Sequence, residues 1–249
     1  MDLYYEVNGN GHPVVLLHSG GTDLRDWAFV APLLARDYKV VAFDGRGTGK
    51  SPAPLKNANY VEDLLSLLDH LELEKATLIG HSIGGQIATE FALNSPERVS
   101  NLVLIAPSLS GFNYSQEFNA FIGKINEAAP DIEKMLERSL SGSLYGVVMA
   151  GPHRNLMIEM QRHYFKRIME WPAFEMVWPK PPAIERLEEL TTKTLFIIGK
   201  QDFPDNLRVT DCFRKAPHIR FVEISDADHM LTLTHPEDLY HYITDFMEE

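Results

Sequence analysis

Four short apolar runs, Val14 to His18, Lys39 to Asp44, Ala76 to His81 and Val99 to Ala106, punctuate the first part of the chain. None of them alternates apolar with polar positions, and continuous runs of this length predict strands covered on both faces. Between them, Leu24 to Arg36 sets Trp27, Val30, Leu33 and Leu34 on one helical face, while Tyr60 to Leu71 and Ile83 to Asn94 read as further helices, the last ending before Ser95-Pro96. Strands and helices in alternation predict an α/β fold with a mostly parallel, doubly wound sheet.

From Ser108 to Leu190 the alternation stops. Helical patterns over Gln116 to Ala129, Asp131 to Ser139 and Arg154 to Trp171 are broken by Pro130, Pro172 and the Pro179-Lys180-Pro181-Pro182 stretch. Strands resume at Thr194 to Gly199 and Arg220 to Ile224, and Glu237 to Met247 reads as a closing helix. Residues 108–190 are therefore expected as a helical insertion in a core formed by residues 1–107 and 191–249. No repeat, heptad or low-complexity tract is present.

At 249 residues, 45% hydrophobic and 23% charged, the chain has the composition of a globular protein with a sizeable core. Cys212 is the single cysteine, so no disulfide forms within the chain, and the first residues lack the basic and apolar regions of a secretory signal. A cytoplasmic protein is expected, with no membrane partner because no apolar run approaches membrane-spanning length. A net charge of −12 argues against nucleic acid as a partner, since phosphate binding draws on clustered Lys and Arg.

Candidate chemistry centres on Gly80-His81-Ser82-Ile83-Gly84, a G-x-S-x-G pattern lying where an expected buried strand turns into an expected helix. The pattern alone is weak; its position is the one in which a serine is held out on a strained turn at the carboxyl edge of a sheet. A serine hydroxyl is a poor nucleophile at neutral pH and needs a base, which in turn needs an orienting group. His229, after the last expected strand, is the candidate base, and Asp202, after the preceding one, is the candidate acid. Asp205 and Asp228 compete with Asp202 for that role; Asp205 reads rather as the cap of the following helix. The order Ser, Asp, His and the shared sheet edge fit the arrangement.

With these residues the sequence resembles the α/β-hydrolase family over nearly its whole length, the helical insertion matching that family's cap. His18-Ser19-Gly20-Gly21 looks like its oxyanion loop, and Asp44-Gly45-Arg46-Gly47-Thr48-Gly49-Lys50-Ser51 like its Asp-x-Arg-Gly-x-Gly-x-Ser segment. The resemblance implies that the backbone N–H groups of Gly20 and Ile83 form an oxyanion hole. Ser19 stands where the family usually has glycine, which leaves open whether its hydroxyl joins that site.

The same residues admit other readings. Gly45 to Ser51 suggests a phosphate loop, but Asp44 occupies the position where that template requires glycine. His18 and His81 are expected to orient their loops, and His235 to sit at a helix start beside Pro236. No histidine pair shows zinc spacing with a nearby glutamate, so neither metal nor cofactor is expected. In the insertion, the stripe Leu156, Met160 and Tyr164 reads as packing. Phe118, Phe121, Met157, Trp171 and Trp178 together suggest an apolar pocket. Arg154, Arg162, Lys166 and Arg167 either meet a substrate carboxylate or are solvated. The expected activity is serine hydrolysis of a small or medium, largely apolar ester or lactone. Carbon–carbon bond hydrolysis of ring-cleavage products and ligand binding on an idle hydrolase scaffold are the alternatives.

Overall fold

The computed structural model describes residues 1–54 and 56–249. Its centre is a seven-stranded sheet in the order β1-β3-β2-β5-β6-β8-β9, formed by β1 (Tyr5–Asn8), β2 (Pro13–Leu17), β3 (Lys39–Phe43), β5 (Ala76–His81), β6 (Val99–Ile105), β8 (Thr194–Gly199) and β9 (Ile219–Ile224). Two short strands, β4 (Asn57–Ala58) and β7 (Glu175–Met176), pair separately. All main-sheet pairings are parallel except β1 with β3. Every residue of β5 and β8 is buried, which is why these strands read as unbroken apolar runs. The edge strand β1 is mostly exposed and carries no such pattern.

Chain order and spatial order diverge at one place. β3 lies on one side of β2 and β5 on the other, so the loops leaving β2 and β5 part in opposite directions. A crevice opens at the carboxyl ends of strands where such a reversal occurs.

Helices α2 (Tyr60–His70), α3 (Ile83–Asn94), α8 (Pro204–Phe213) and α10 (Pro236–Glu248) cover the sheet, with short turns at α1 (Ala31–Leu34) and α9 (Leu231–Thr234). The expected helix over Leu24 to Arg36 is instead a 3-10 turn at Leu24–Trp27 followed by α1. Pro32 starts the second piece, and Asp26 in the first is drawn to zero exposure by partners described below.

Between β6 and β8 lie α4 (Gln116–Asn126), α5 (Ile132–Leu140), α6 (Gly146–Ala150) and α7 (Arg154–Met169). Two apolar clusters hold them. One, around Ile125, Met135, Leu136 and Phe165, is internal to these helices. The other joins Leu144, Val148, Met157 and Met160 to Phe203, Met230 and Leu233 beside the sheet. Polar contacts fix the same helices over the strand ends. Asp228 accepts from the Val147 and Val148 N–H groups at 2.7 and 3.0 Å, and Asp205 accepts from Ser115 N–H and hydroxyl at 2.6 and 2.7 Å. Ser115 caps α4, so Asp205 does not cap its own helix as expected; it anchors another.

Candidate active site

β5 delivers Ser82 into a tight turn. Its φ of 53° and ψ of −116° put a non-glycine residue in a sparsely populated conformation, costing about 1–3 kcal/mol. Neighbouring glycines make the turn possible: a Cβ at Gly80 would collide with the Gly84 carbonyl, and one at Gly84 would run into the Leu17 carbonyl and lie 2.7 Å from the His18 oxygen. The strand ends are packed too closely for side chains there. Ile83, the first residue of α3, has no helical acceptor for its N–H. Gly20 sits beside it, a Cβ there lying 3.7 Å from Ile83 Cγ2.

His229 and Asp202 meet across the ends of β8 and β9. His229 Nδ1 lies 2.9 Å from Asp202 Oδ2, and both residues are about 5% exposed. The other Asp202 oxygen accepts from Phe203 N–H at 2.6 Å and from the Asn206 amide at 2.7 Å. With Oδ1 occupied by these two donors, Oδ2 accepts Nδ1–H from the ring, which leaves Nε2 its lone pair; the Asn206 amide also lies 3.1 Å from Nδ1. Ser82 and His229 line one cavity of about 310 Å³ together with Gly20, Ile83, Tyr145 and Gln161. Asp228 is not part of this pair: it binds the start of α6 and Met230 N–H, the latter at 3.0 Å.

The loop after β2 is fixed by its own side chains. His18 Nδ1–H donates to the Ser19 carbonyl at 2.7 Å, and Gly45 N–H donates to His18 Nε2 at 2.9 Å, which fixes the ring's orientation. Thr22 donates to the same Ser19 carbonyl at 2.7 Å. The Ser19 hydroxyl points to the Gly20 carbonyl at 3.4 Å.

Asp26, which sequence reasoning passed over, joins three loops. It is fully buried; Oδ2 accepts from Ser19 N–H at 2.8 Å and faces His81 Nδ1 at 2.8 Å, while Oδ1 accepts from Thr232 at 2.5 Å. His81 Nε2 in turn donates to the His229 carbonyl at 2.8 Å. Burial opposes charge on both groups, but each holds the other ionised: the His81 pKa is raised, and that of Asp26 lies below its ordinary value. His81 orients more than its own loop. The sequence signal for this pair was a single polar residue interrupting an apolar face beside Trp27.

Gln161 and Tyr145 were also not singled out. Burial pushes the Tyr145 hydroxyl pKa far up, partly offset by a hydrogen bond from Gln161, whose own Oε1 is buried without a partner among the described residues.

A second cavity of about 310 Å³ shares Ser19, Gly20, Gly21, Ile83 and Tyr164 with the first and is walled by Phe43, Trp171 and Phe174. The expected apolar pocket thus keeps Phe118 and Trp171. Met157 is instead fully buried in packing, Phe121 belongs to the inter-helix clusters, and Trp178 packs on the core. Of the stripe, Met160 is packing, whereas Tyr164 lines both cavities. Arg162 pairs with Glu133 at 2.7 Å, and Arg167 donates to the Ser51 carbonyl at 2.7 Å, so neither faces the serine. Arg46, at the second cavity, is bound by Asp63 at 2.7 Å and Asp2 at 3.0 Å. No group of His, Cys, Asp and Glu able to hold a metal occurs among the described residues.

A reversing parallel sheet with a strained serine turn and a His–Asp pair at the same edge defines a class of hydrolytic enzymes. The chain belongs to the alpha/beta hydrolase fold family, whose model matches residues 12–236. It is 34% identical over 203 residues to the dihydrolipoyllysine-residue acetyltransferase component of the acetoin cleaving system of Pseudomonas putida, covering 73% of this chain. The chain spans about half of that relative, 55% of its length. Two solved structures share the fold: a hydrolase from Pseudomonas aeruginosa PA01 (TM-score 0.80, 23% identity, 99% of this chain and 94% of that one) and the enol-lactonase from Burkholderia xenovorans LB400 (TM-score 0.77, 22% identity, 99% and 96%).

Proposed function

We propose that this hydrolase is a serine esterase acting on small or medium, largely apolar carboxylic esters, lactones included, through an acyl-enzyme. The observation that carries the reading is the His229 Nδ1 to Asp202 Oδ2 bond of 2.9 Å behind a cavity that His229 and Ser82 both line. Asp202 keeps the Nδ1–H tautomer, so His229 Nε2 takes the Ser82 proton as Oγ attacks the acyl carbon. The Gly20 and Ile83 N–H groups receive the oxyanion, His229 returns the proton to the departing alcohol, and water then releases the acid by the same route. No metal or cofactor enters this scheme. Helices α4 to α7 act as a cap, and the aromatic-walled cavity takes the apolar half of the substrate.

An ester is favoured over a carboxylate-bearing ring-cleavage product because Arg46, the guanidinium at the second cavity, is already neutralised by Asp63 and Asp2. A substrate carboxylate meets no unpaired cation there. The test is hydrolysis of p-nitrophenyl esters of increasing acyl length by wild type and Ser82→Ala. Turnover that disappears in the variant supports the scheme. Equal rates in the two proteins, or turnover of dienoate substrates alone, would overturn it.

A further inference from the structure

The buried Asp26–His81 pair stands outside the proton path, and we propose that it is a positioning device that holds three loops of the site in one register. This inference rests on the serine-esterase reading above. The loops are far apart in sequence: Ser19 follows β2, His81 ends β5, and His229 to Thr232 follow β9. One carboxylate of zero exposure reaches all three. It takes the Ser19 N–H directly, the Thr232 hydroxyl directly, and the His229 carbonyl through the His81 ring.

The hydrogen-bond geometry sets the charge state. The His229 carbonyl can only accept, so His81 Nε2 carries a proton. Asp26 already receives hydrogens from Ser19 and Thr232, which suits a carboxylate and leaves the proton between the two side chains on Nδ1. The ring is then an imidazolium bound to a carboxylate, neutral as a pair. Its neutrality matters because its ring centroid lies 5.2 Å from that of His229, where a lone cation would oppose charging of the base during turnover.

A buried ion pair is a poor source of net stability, since two ions must be stripped of water and an apolar pair of similar size often does as well. What an apolar pair cannot do is hydrogen-bond at once to the loop carrying Gly20, to the Thr232 hydroxyl and, from the residue before Ser82, to the backbone of His229. Small misplacements of reacting groups are costly in rate, so the benefit of the pair falls on turnover rather than on folding.

The experiment compares wild type, Asp26→Asn, His81→Gln and the apolar double variant Asp26→Leu/His81→Met, with Ser82→Ala as control. Ester kinetics are measured at a temperature where circular dichroism shows all to be folded. Each single variant is expected to lose about tenfold or more in kcat with KM changed less than about twofold. The apolar double variant is expected to be as slow as the singles even where it is as stable as wild type. Nitrogen-15 correlation spectra of the histidine rings give a readout that needs no turnover: just above the ordinary histidine value of about 6.5, both His81 nitrogens are protonated in wild type and one loses its proton in Asp26→Asn. A neutral His81 in wild type, full kcat in the folded single variants, or restored kcat in the apolar double variant each overturn the proposal. Equal ester hydrolysis by wild type and Ser82→Ala defeats the esterase reading instead, and the ring spectra still decide the state of the pair.

Discussion

At the scale of single residues, the His229–Asp202 bond is where geometry and chemistry meet most directly. Asp202→Asn keeps the shape, but the amide can turn its NH₂ toward Nδ1 and favour the wrong ring tautomer. The expected outcome is a loss of about 10³–10⁴-fold in kcat at neutral pH with a small change in KM, checked by steady-state ester kinetics. The placement of Ser82, Asp202 and His229 at one sheet edge was legible because each follows a strand recognisable by its apolar run, and the loops at the carboxyl ends of parallel strands share one edge. Asp26 was not legible. Its partners Ser19, His81 and Thr232 lie 7, 55 and 206 positions away, and a local pattern of hydrophobicity carries no trace of such contacts.

At the scale of elements, the central strands were readable for the reason that they are buried on both faces, and β1 was missed because it is an exposed edge. The helix expected over Leu24 to Arg36 is two short turns, with Asp26 in the first turned to the interior and Pro32 in the first turn of the second. The junction between the sheet and helices α4 to α7 depends on a residue of α3. Glu90, with zero exposure, accepts from Ser110 hydroxyl on the outgoing segment and from Ala183 N–H at 3.0 Å on the returning one. Ala183 N–H also reaches Ser110 Oγ at 2.8 Å, so one carboxylate ties the two crossings together. Glu90→Ala is expected to lower unfolding stability by about 1–3 kcal/mol and to speed amide exchange at both crossings. Urea denaturation and hydrogen-exchange mass spectrometry check the two parts separately.

For the whole molecule, the Asp26–His81 pair links stability to pH with opposite signs on its two sides. His81 has a raised pKa, so its contribution is complete below about pH 6.5 and is lost as pH rises through the raised value. Asp26 has a lowered pKa, so its contribution is complete above about pH 4 and is lost as pH falls through the lowered value. The groups facing the pair are Ser19, Thr232, Trp27 and His229, with the Asp202 charge beyond them. Denaturation midpoints measured across pH should therefore fall at both ends, and the alkaline fall should shrink in Asp26→Asn.

The backbone of Ser82 bears on the same balance from another direction. The fold tolerates a residue with a side chain where φ is 53°, and glycine would occupy that place with less strain. Selection for heat resistance alone would push the chain to give up its serine. A hydroxyl at so uncomfortable a turn marks a position where usefulness stands in opposition to durability.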